Sequence, residues 1–209
     1  MPSGRKINLK VDPAVGLTGI TGPAGNTARF NYDRAGNLTR ITDPLNQNIT
    51  LTYNSDLNLL TSVIDPRGHG TYFDHDQAGN VNSISYEDGN VEAFTHDSAG
   101  MINSYTNRRG DKIEYTRNDR GQVVRKDYYS GGTITRTDAY RYDDKGNLVS
   151  ASDLQGETKF EYDSRGLLTR VTYPLGRYLA YTYDTGGRRT RMVDQDGYET
   201  NYIYDEAGR

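Results

Sequence analysis

Cysteine and tryptophan are absent from the 209 residues, and histidine occurs only three times. Without cysteine there is no disulfide, no thiolate metal ligand and no thiol nucleophile. Apolar residues are scarce at 33%, no run of them approaches the roughly 18 needed for a membrane-spanning helix, and MPSGRKINLK lacks the apolar stretch of a signal peptide. Neither sign of charge dominates: 25 basic against 28 acidic residues leave a net charge of -3, which gives no basic footprint for nucleic acid or an anionic membrane. So polar a composition suits a disordered chain, yet 18 tyrosines supply the aromatic load that disordered segments lack.

What is present is a repeat. YDRAGN at 32 returns as HDQAGN at 75, YDDKGN at 142 and YDEAGR at 204. Aligned on the turn glycine, the copies fall at Gly36, Gly79, Gly100, Gly121, Gly146, Gly166, Gly187 and Gly208, with Leu57 standing in for one glycine and a weaker copy around Gly16. The usual interval is 21 residues, stretched to 25 between Gly121 and Gly146. Three residues before each stands Asp or Asn: Asp33, Asn54, Asp76, Asp97, Asn118, Asp143, Asp163, Asp184 and Asp205. An Asx side chain there can bond the backbone two residues on, and a glycine at the fourth position takes the positive φ that closes the turn. About ten residues later a second turn follows, as in DPLN at 43, DPRG at 65 and YPLG at 173. Two turns per period leave two strands of six or seven residues.

The strand entering the first turn alternates. Phe30, Leu51, Phe73, Phe94, Tyr115, Tyr140, Phe160, Tyr181 and Tyr202 form one column. Two residues on, a second column holds Tyr32, Tyr53, His75, His96, Arg117, Tyr142, Tyr162, Tyr183 and Tyr204. The residues between them are polar except Ile203, a period of two that means strand and not helix. In the other strand apolar pairs such as Leu38 with Ile41 and Val81 with Ile84 are three apart, which a bulge, a strong twist or burial on both faces would each reconcile. Aromatic rungs of consecutive copies are expected to stack, each copy needing its neighbours to fold.

These motifs resemble the YD repeats of the Rhs family, which includes Tc-toxin cocoon components and teneurins. Tyr32, Asp33, Gly36, Asn37 and Leu38, followed by Ile41, Thr42, Asp43 and Pro44, carry the signature, as do Tyr142, Asp143, Gly146, Asn147 and Leu148. The resemblance covers about residues 12–209, with 1–11 expected as a leader or degenerate segment. It implies an all-β fold of tandem hairpins in a curved or spiral antiparallel sheet, a section of a shell that encloses a C-terminal toxin or cargo in a secreted or cell-surface bacterial protein. It implies a scaffold, not an enzyme. The DPxGL motif near the autoproteolytic site of toxin-releasing members is not matched by DPAV, DPLN or DPRG. Since the chain stops within a repeat, it is expected to be a piece of a longer array whose partners are the rest of the shell and its cargo, with self-association through open sheet edges.

No residue pattern calls for a cofactor, a metal or a catalytic group. His75 and His96 read as substitutes in the tyrosine column, His69 as a solvated loop residue, and DQDG at 194 lacks the remaining ligands of a calcium loop. No G-x-S-x-G, P-loop or H-E-x-x-H segment occurs. The extra residues around KDYYSGGTITR are expected on a longer loop, where an exposed Tyr128 and Tyr129 could meet a glycan or a cell-surface receptor; this is the adhesive alternative to the scaffold.

Overall fold

The computed structural model describes residues 6–209. It divides into two compact units, one ending at Arg109 and the other running from Gly110 to Arg209. The first contains β1 (Asn8–Asp12), β2 (Gly16–Thr21), β3 (Thr27–Tyr32), β4 (Leu38–Thr42), β5 (Asn48–Tyr53), β6 (Leu60–Ile64), β7 (Gly70–His75), β8 (Val81–Tyr86), β9 (Val91–His96) and β10 (Ile102–Thr106). The second contains β11 (Lys112–Arg117), β12 (Val123–Ser130), β13 (Thr133–Tyr142), β14 (Leu148–Asp153), β15 (Gly156–Tyr162), β16 (Leu168–Thr172), β17 (Tyr178–Tyr183), β18 (Arg189–Asp194) and β19 (Glu199–Asn201). Within each unit every strand pairs antiparallel with the next. The all-β expectation holds. Of the expected leader, residues 1–5 lie outside the described residues, while Asn8–Asp12 pair with β2.

Each first turn is built as its Asx residue requires. The Asp33 N–H donates to the Asn37 carbonyl at 2.9 Å and the Gly36 N–H to the Asp33 carbonyl at 3.2 Å, while Asp33 Oδ1 accepts the N–H groups of Ala35 and Asn37. Gly36 has φ of 90°, open to glycine but costly for a residue with a Cβ. The copy lacking glycine corrects the sequence alignment. Leu57 does not take the glycine's place; Asn58 does, at φ 56°, and the turn grows by one residue so that the Asn54 N–H donates to the Leu59 carbonyl. Asparagine tolerates the left-handed region and leucine resists it, which is why the turn lengthens.

The three-residue spacing in the other strand comes from a bulge. In β3–β4, Asn31 pairs with Arg40 and Tyr32 with Leu38, so Thr39 is the extra residue and Leu38 returns to the face of Ile41. The same shift occurs before Tyr53, His75, Tyr142, Tyr162 and Tyr183. Aromatic rungs of consecutive copies, by contrast, do not stack on one another. The intervening strand stands between them: Phe30 faces Ile41, Phe73 faces Ile84 and Phe160 faces Val171. Among the described residues one ring pair stacks, Phe94 on Tyr105 with centroids 5.1 Å apart, and it joins two strands of one hairpin.

The second column has a more specific role. The β4–β5 ladder ends at Arg40 and Thr50, leaving the Leu38 carbonyl beyond it, and the Tyr53 hydroxyl donates to that carbonyl at 3.0 Å. Every tyrosine of the column repeats the contact: Tyr32 to Leu17, Tyr142 to Val123, Tyr162 to Leu148, Tyr183 to Leu168 and Tyr204 to Arg189, at 2.7 to 3.0 Å. Val171 is the one buried apolar residue among the described residues. The sheet is held by ladders, turns and these clasps far more than by a core.

Removing the hydroxyl alone, as in Tyr53→Phe or Tyr183→Phe, is expected to cost about 1 kcal/mol each, the usual net contribution of a hydrogen bond. His75→Tyr, which places a hydroxyl within the same reach of the Leu60 carbonyl, is expected to raise stability by a similar amount. Urea midpoints of the three variants check this, and equal midpoints for Tyr and Phe would remove the clasp as a source of stability.

Candidate functional site

Two residues before the first column, another column holds Ala28, Ile49, Thr71, Glu92, Ile113, Asp138, Thr158, Leu179 and Thr200. It is neutral but for Glu92 and Asp138, and around these two carboxylates the polar groups gather. In the first unit Glu92 accepts the hydroxyls of Tyr86 and Tyr105 at 3.4 and 3.3 Å and the Arg108 Nε–H at 3.1 Å. The Arg108 guanidinium lies 3.4 Å from the centre of the Tyr86 ring. Burial, followed by the nearby Glu92, pushes the Tyr105 hydroxyl pKa up.

In the second unit Asp138 is only 4% exposed. Arg136 donates to both its oxygens, Nε to Oδ1 at 2.6 Å and Nη2 to Oδ2 at 2.8 Å, and the Tyr128 hydroxyl adds a third bond at 3.0 Å. Burial opposes the charged form, but Arg136 and Tyr128 outweigh it and hold the carboxyl below its ordinary range. Burial likewise raises Tyr128 and Tyr140. Beside this group lies a cavity of about 250 Å³, reached by Tyr140, Ser152, Asp153, Thr158 and Tyr173.

The sequence singled out Tyr128 and Tyr129 but placed them wrongly. The inserted residues do not form a longer loop; they lengthen β12 and β13 to eight and ten residues, joined by Gly131 and Gly132 at φ 56° and 80°. Two adjacent glycines at positive φ make the tight hairpin turn whose twist matches the strands, so the insertion goes into the ladder. Both tyrosines are half-buried in β12, Tyr128 bonded to Asp138 and Tyr129 to Glu114 at 2.7 Å. His75 and His96 close β7 and β9, each opposite the residue before a bulge, and His69 is exposed beside Asp65 at 3.2 Å. Glu92, Arg108, Arg136 and Asp138 went unnoticed in the sequence, although a charge in a neutral column was the available signal.

The chain matches the Teneurin YD-shell family over residues 65–209, more than half its length, and the RHS repeat over 13–47 and 32–71. It belongs to the YD-shell family. Solved structures with the same fold include the Photorhabdus luminescens Tc holotoxin pore carrying a TccC3 variant, at TM-score 0.64 and 16% identity over 94% of this chain and 12% of that one. A TcdB2–TccC3 complex without its hypervariable C-terminal region gives 0.60 at 13% identity, over 96% and 16%. TcdB2–TccC3 with Cdc42 gives 0.57 at 16% identity, over 91% and 13%. The segment thus spans well under a fifth of the solved chains it resembles. A search among curated proteins returns no match.

In this YD-shell family member the turn aspartates make their hydrogen bonds within the turns themselves. Asp33, Asp76 and Asp143 are held below the ordinary carboxylate range first by the side-chain amide of the asparagine four residues on. Asp163 and Asp184 are held down first by the backbone N–H of Leu167 and Arg188. Depressed folded values mean that this stabilisation is complete above the unfolded aspartate pKa of about 3.9 and lost as pH falls through the lower folded values. Melting temperature should therefore stay level from neutral pH to about 5 and fall steeply below about 4. Asp33→Asn with Asp143→Asn, adopting the residue already present at Asn54 and Asn118, keeps the turn acceptor and should shallow that fall; an unchanged acid slope in the double variant would exclude these carboxylates as its source.

Proposed function

We propose that this segment is part of the wall of an Rhs-type shell that encloses a C-terminal toxin or other cargo chain, in a secreted or cell-surface bacterial protein. Similarity to YD-shell proteins supports a structural shell role. The observation that carries the reading is a family-matched sheet with almost no buried apolar residue of its own, Val171 apart, among the described residues. Such a sheet is suited to be a wall and not a globule. The role is that of a scaffold and not of a catalyst. Adhesion through an exposed Tyr128 and Tyr129 loses its support, because both hydroxyls are committed to carboxylates within strands.

Limited proteolysis of the native polypeptide that carries this segment tests the enclosure. A downstream fragment should survive as long as the repeats stay intact and be digested once they are opened by mild acid. Rapid loss of that fragment beside intact repeats would refute it.

The outer edge of β1 bears on the partner as well. Leu9 and Val11 of β1, and Ile7 just before it, are each about two-thirds exposed and alternate along a segment whose strand pairs with β2. Unpaired N–H and C=O groups beside alternating apolar side chains invite another strand. The isolated segment is expected to self-associate with rising concentration, and Leu9→Lys is expected to reduce this. Sedimentation velocity showing a monomer throughout would count against the edge as a partner site.

A further inference from the structure

We infer that Asp196, in the β18–β19 turn, is a self-modification site: its carboxyl condenses with the Gly197 nitrogen and reopens as an isoaspartyl linkage, while Asp88, the other aspartate followed by glycine, is held against this change. This goes beyond the scaffold reading and depends on neither a shell nor a cargo.

The sequence has two Asp–Gly pairs and no Asn–Gly pair. Glycine matters because it has no side chain to hinder the approach of its nitrogen to the preceding carboxyl. Both pairs occupy the third and fourth positions of the same kind of turn. Between β8 and β9 the Tyr86 N–H donates to the Asn90 carbonyl at 3.0 Å and the Gly89 N–H to the Tyr86 carbonyl at 2.9 Å. Between β18 and β19 the Asp194 N–H donates to the Tyr198 carbonyl at 3.1 Å and the Gly197 N–H to the Asp194 carbonyl at 3.2 Å. Gly89 and Gly197 have φ of 79° and 81°, and both Asp–Gly pairs are exposed. With backbone and access alike, the difference lies in what the two carboxyls touch.

That difference follows from the residue that opens each turn. Asp194 accepts the N–H groups of Asp196 and Tyr198 on Oδ1, both at 3.0 Å. The Tyr198 N–H is therefore taken, and Asp196 keeps the Gln195 amide on Oδ2 at 2.7 Å with Oδ1 unbonded among the described residues. Tyr86, in the same position, offers no such acceptor. The Asn90 N–H goes instead to Asp88 Oδ1 at 3.0 Å, and the Asn90 side-chain amide closes on Oδ2 at 2.8 Å. Asp88 must release both bonds before it can turn to the Gly89 nitrogen. Asn90, its side chain first, also holds the Asp88 carboxyl below its ordinary range, so fewer copies carry the proton that lets the hydroxyl leave.

The reaction uses no cofactor. The Gly197 nitrogen attacks Asp196 Cγ; a C–N bond forms, the carboxyl C–OH bond breaks, and the amide proton departs with that hydroxyl as water. Water then opens the five-membered imide, and opening at the former main-chain carbonyl leaves the chain running through the side chain. The added backbone carbon disrupts the two bonds that close the turn and loosens β19, a strand of three residues paired to β18.

Ageing the 209-residue chain at about pH 5.5, where some aspartate carboxyl is protonated and the fold is retained, tests the site. Tryptic peptides 192–209 and 68–108 carry the two pairs, and electron-transfer fragmentation locates isoaspartate within each. In the folded chain isoaspartate should accumulate at 196 about fivefold faster than at 88 or more, the rate equivalent of one net hydrogen bond. In urea the two positions should react alike. Asn90→Ala should speed Asp88 toward the rate of Asp196 and leave Asp196 unchanged. Equal rates in the folded chain, faster reaction at 88, or an Asp88 that does not respond to Asn90→Ala would each overturn the inference.

Discussion

The hydrogen bond from a column tyrosine to a carbonyl just past the end of a ladder recurs in six of the nine copies and answers the gap that the bulged strands leave. A bulge one residue into every second strand brings two apolar side chains onto one face, but it also stops the next ladder short. In β16 the ladder to β17 ends at Arg170, and the Leu168 carbonyl beyond it is taken by the Tyr183 hydroxyl at 2.7 Å. Phenylalanine could fill the same space but would leave the carbonyl without this donor. That difference explains why all four phenylalanines stand in the first column and none in the second.

Because turn, bulge and clasp are polar devices, the sheet can form from a chain that is only one-third hydrophobic. The turns reinforce one another in the same manner. Asn37 exchanges side-chain bonds with Asn58, Arg120 reaches the Asp144 carbonyl at 2.7 Å and Arg165 the Asp184 carbonyl at 2.8 Å. Each contact joins one repeat to the next, so stability accrues between neighbours as in other linear repeat proteins. Cation and ring pairs, such as Arg170 3.7 Å above Tyr178, extend this to the strands.

The period, the two turns per repeat and the strand alternation could all be read in the sequence because each rests on local chemistry: an Asx acceptor, a glycine at positive φ, a period of two. The bulge could be suspected from Leu38 and Ile41 but not chosen, since three backbone arrangements give the same spacing. Ring stacking between copies was misjudged because the columns show which residues share a face, not which strand stands between them. Leu57 was misplaced for a related reason: counting by period assumes a constant turn length, whereas conformational cost let Asn58 take the left-handed position. The cavity could not be foreseen, since it arises from the meeting of Gly156 and Pro174 across two turns.

A repeat constrains most positions so strongly that departures from it become informative. Glu92 and Asp138 break a neutral column, and each is answered by an arginine and by tyrosine hydroxyls. A carboxylate as buried as Asp138 would be costly unless so paired, and the same side chains packed as hydrocarbons would hold the sheet at least as well. Arg136 and Tyr128 supply that pairing, so the departure from the column is compensated where it occurs. Where the column returns to Thr158 and Leu179, the sheet needs nothing of the kind. In this chain the regular positions build the ladders and turns, and the irregular ones place its buried carboxylates.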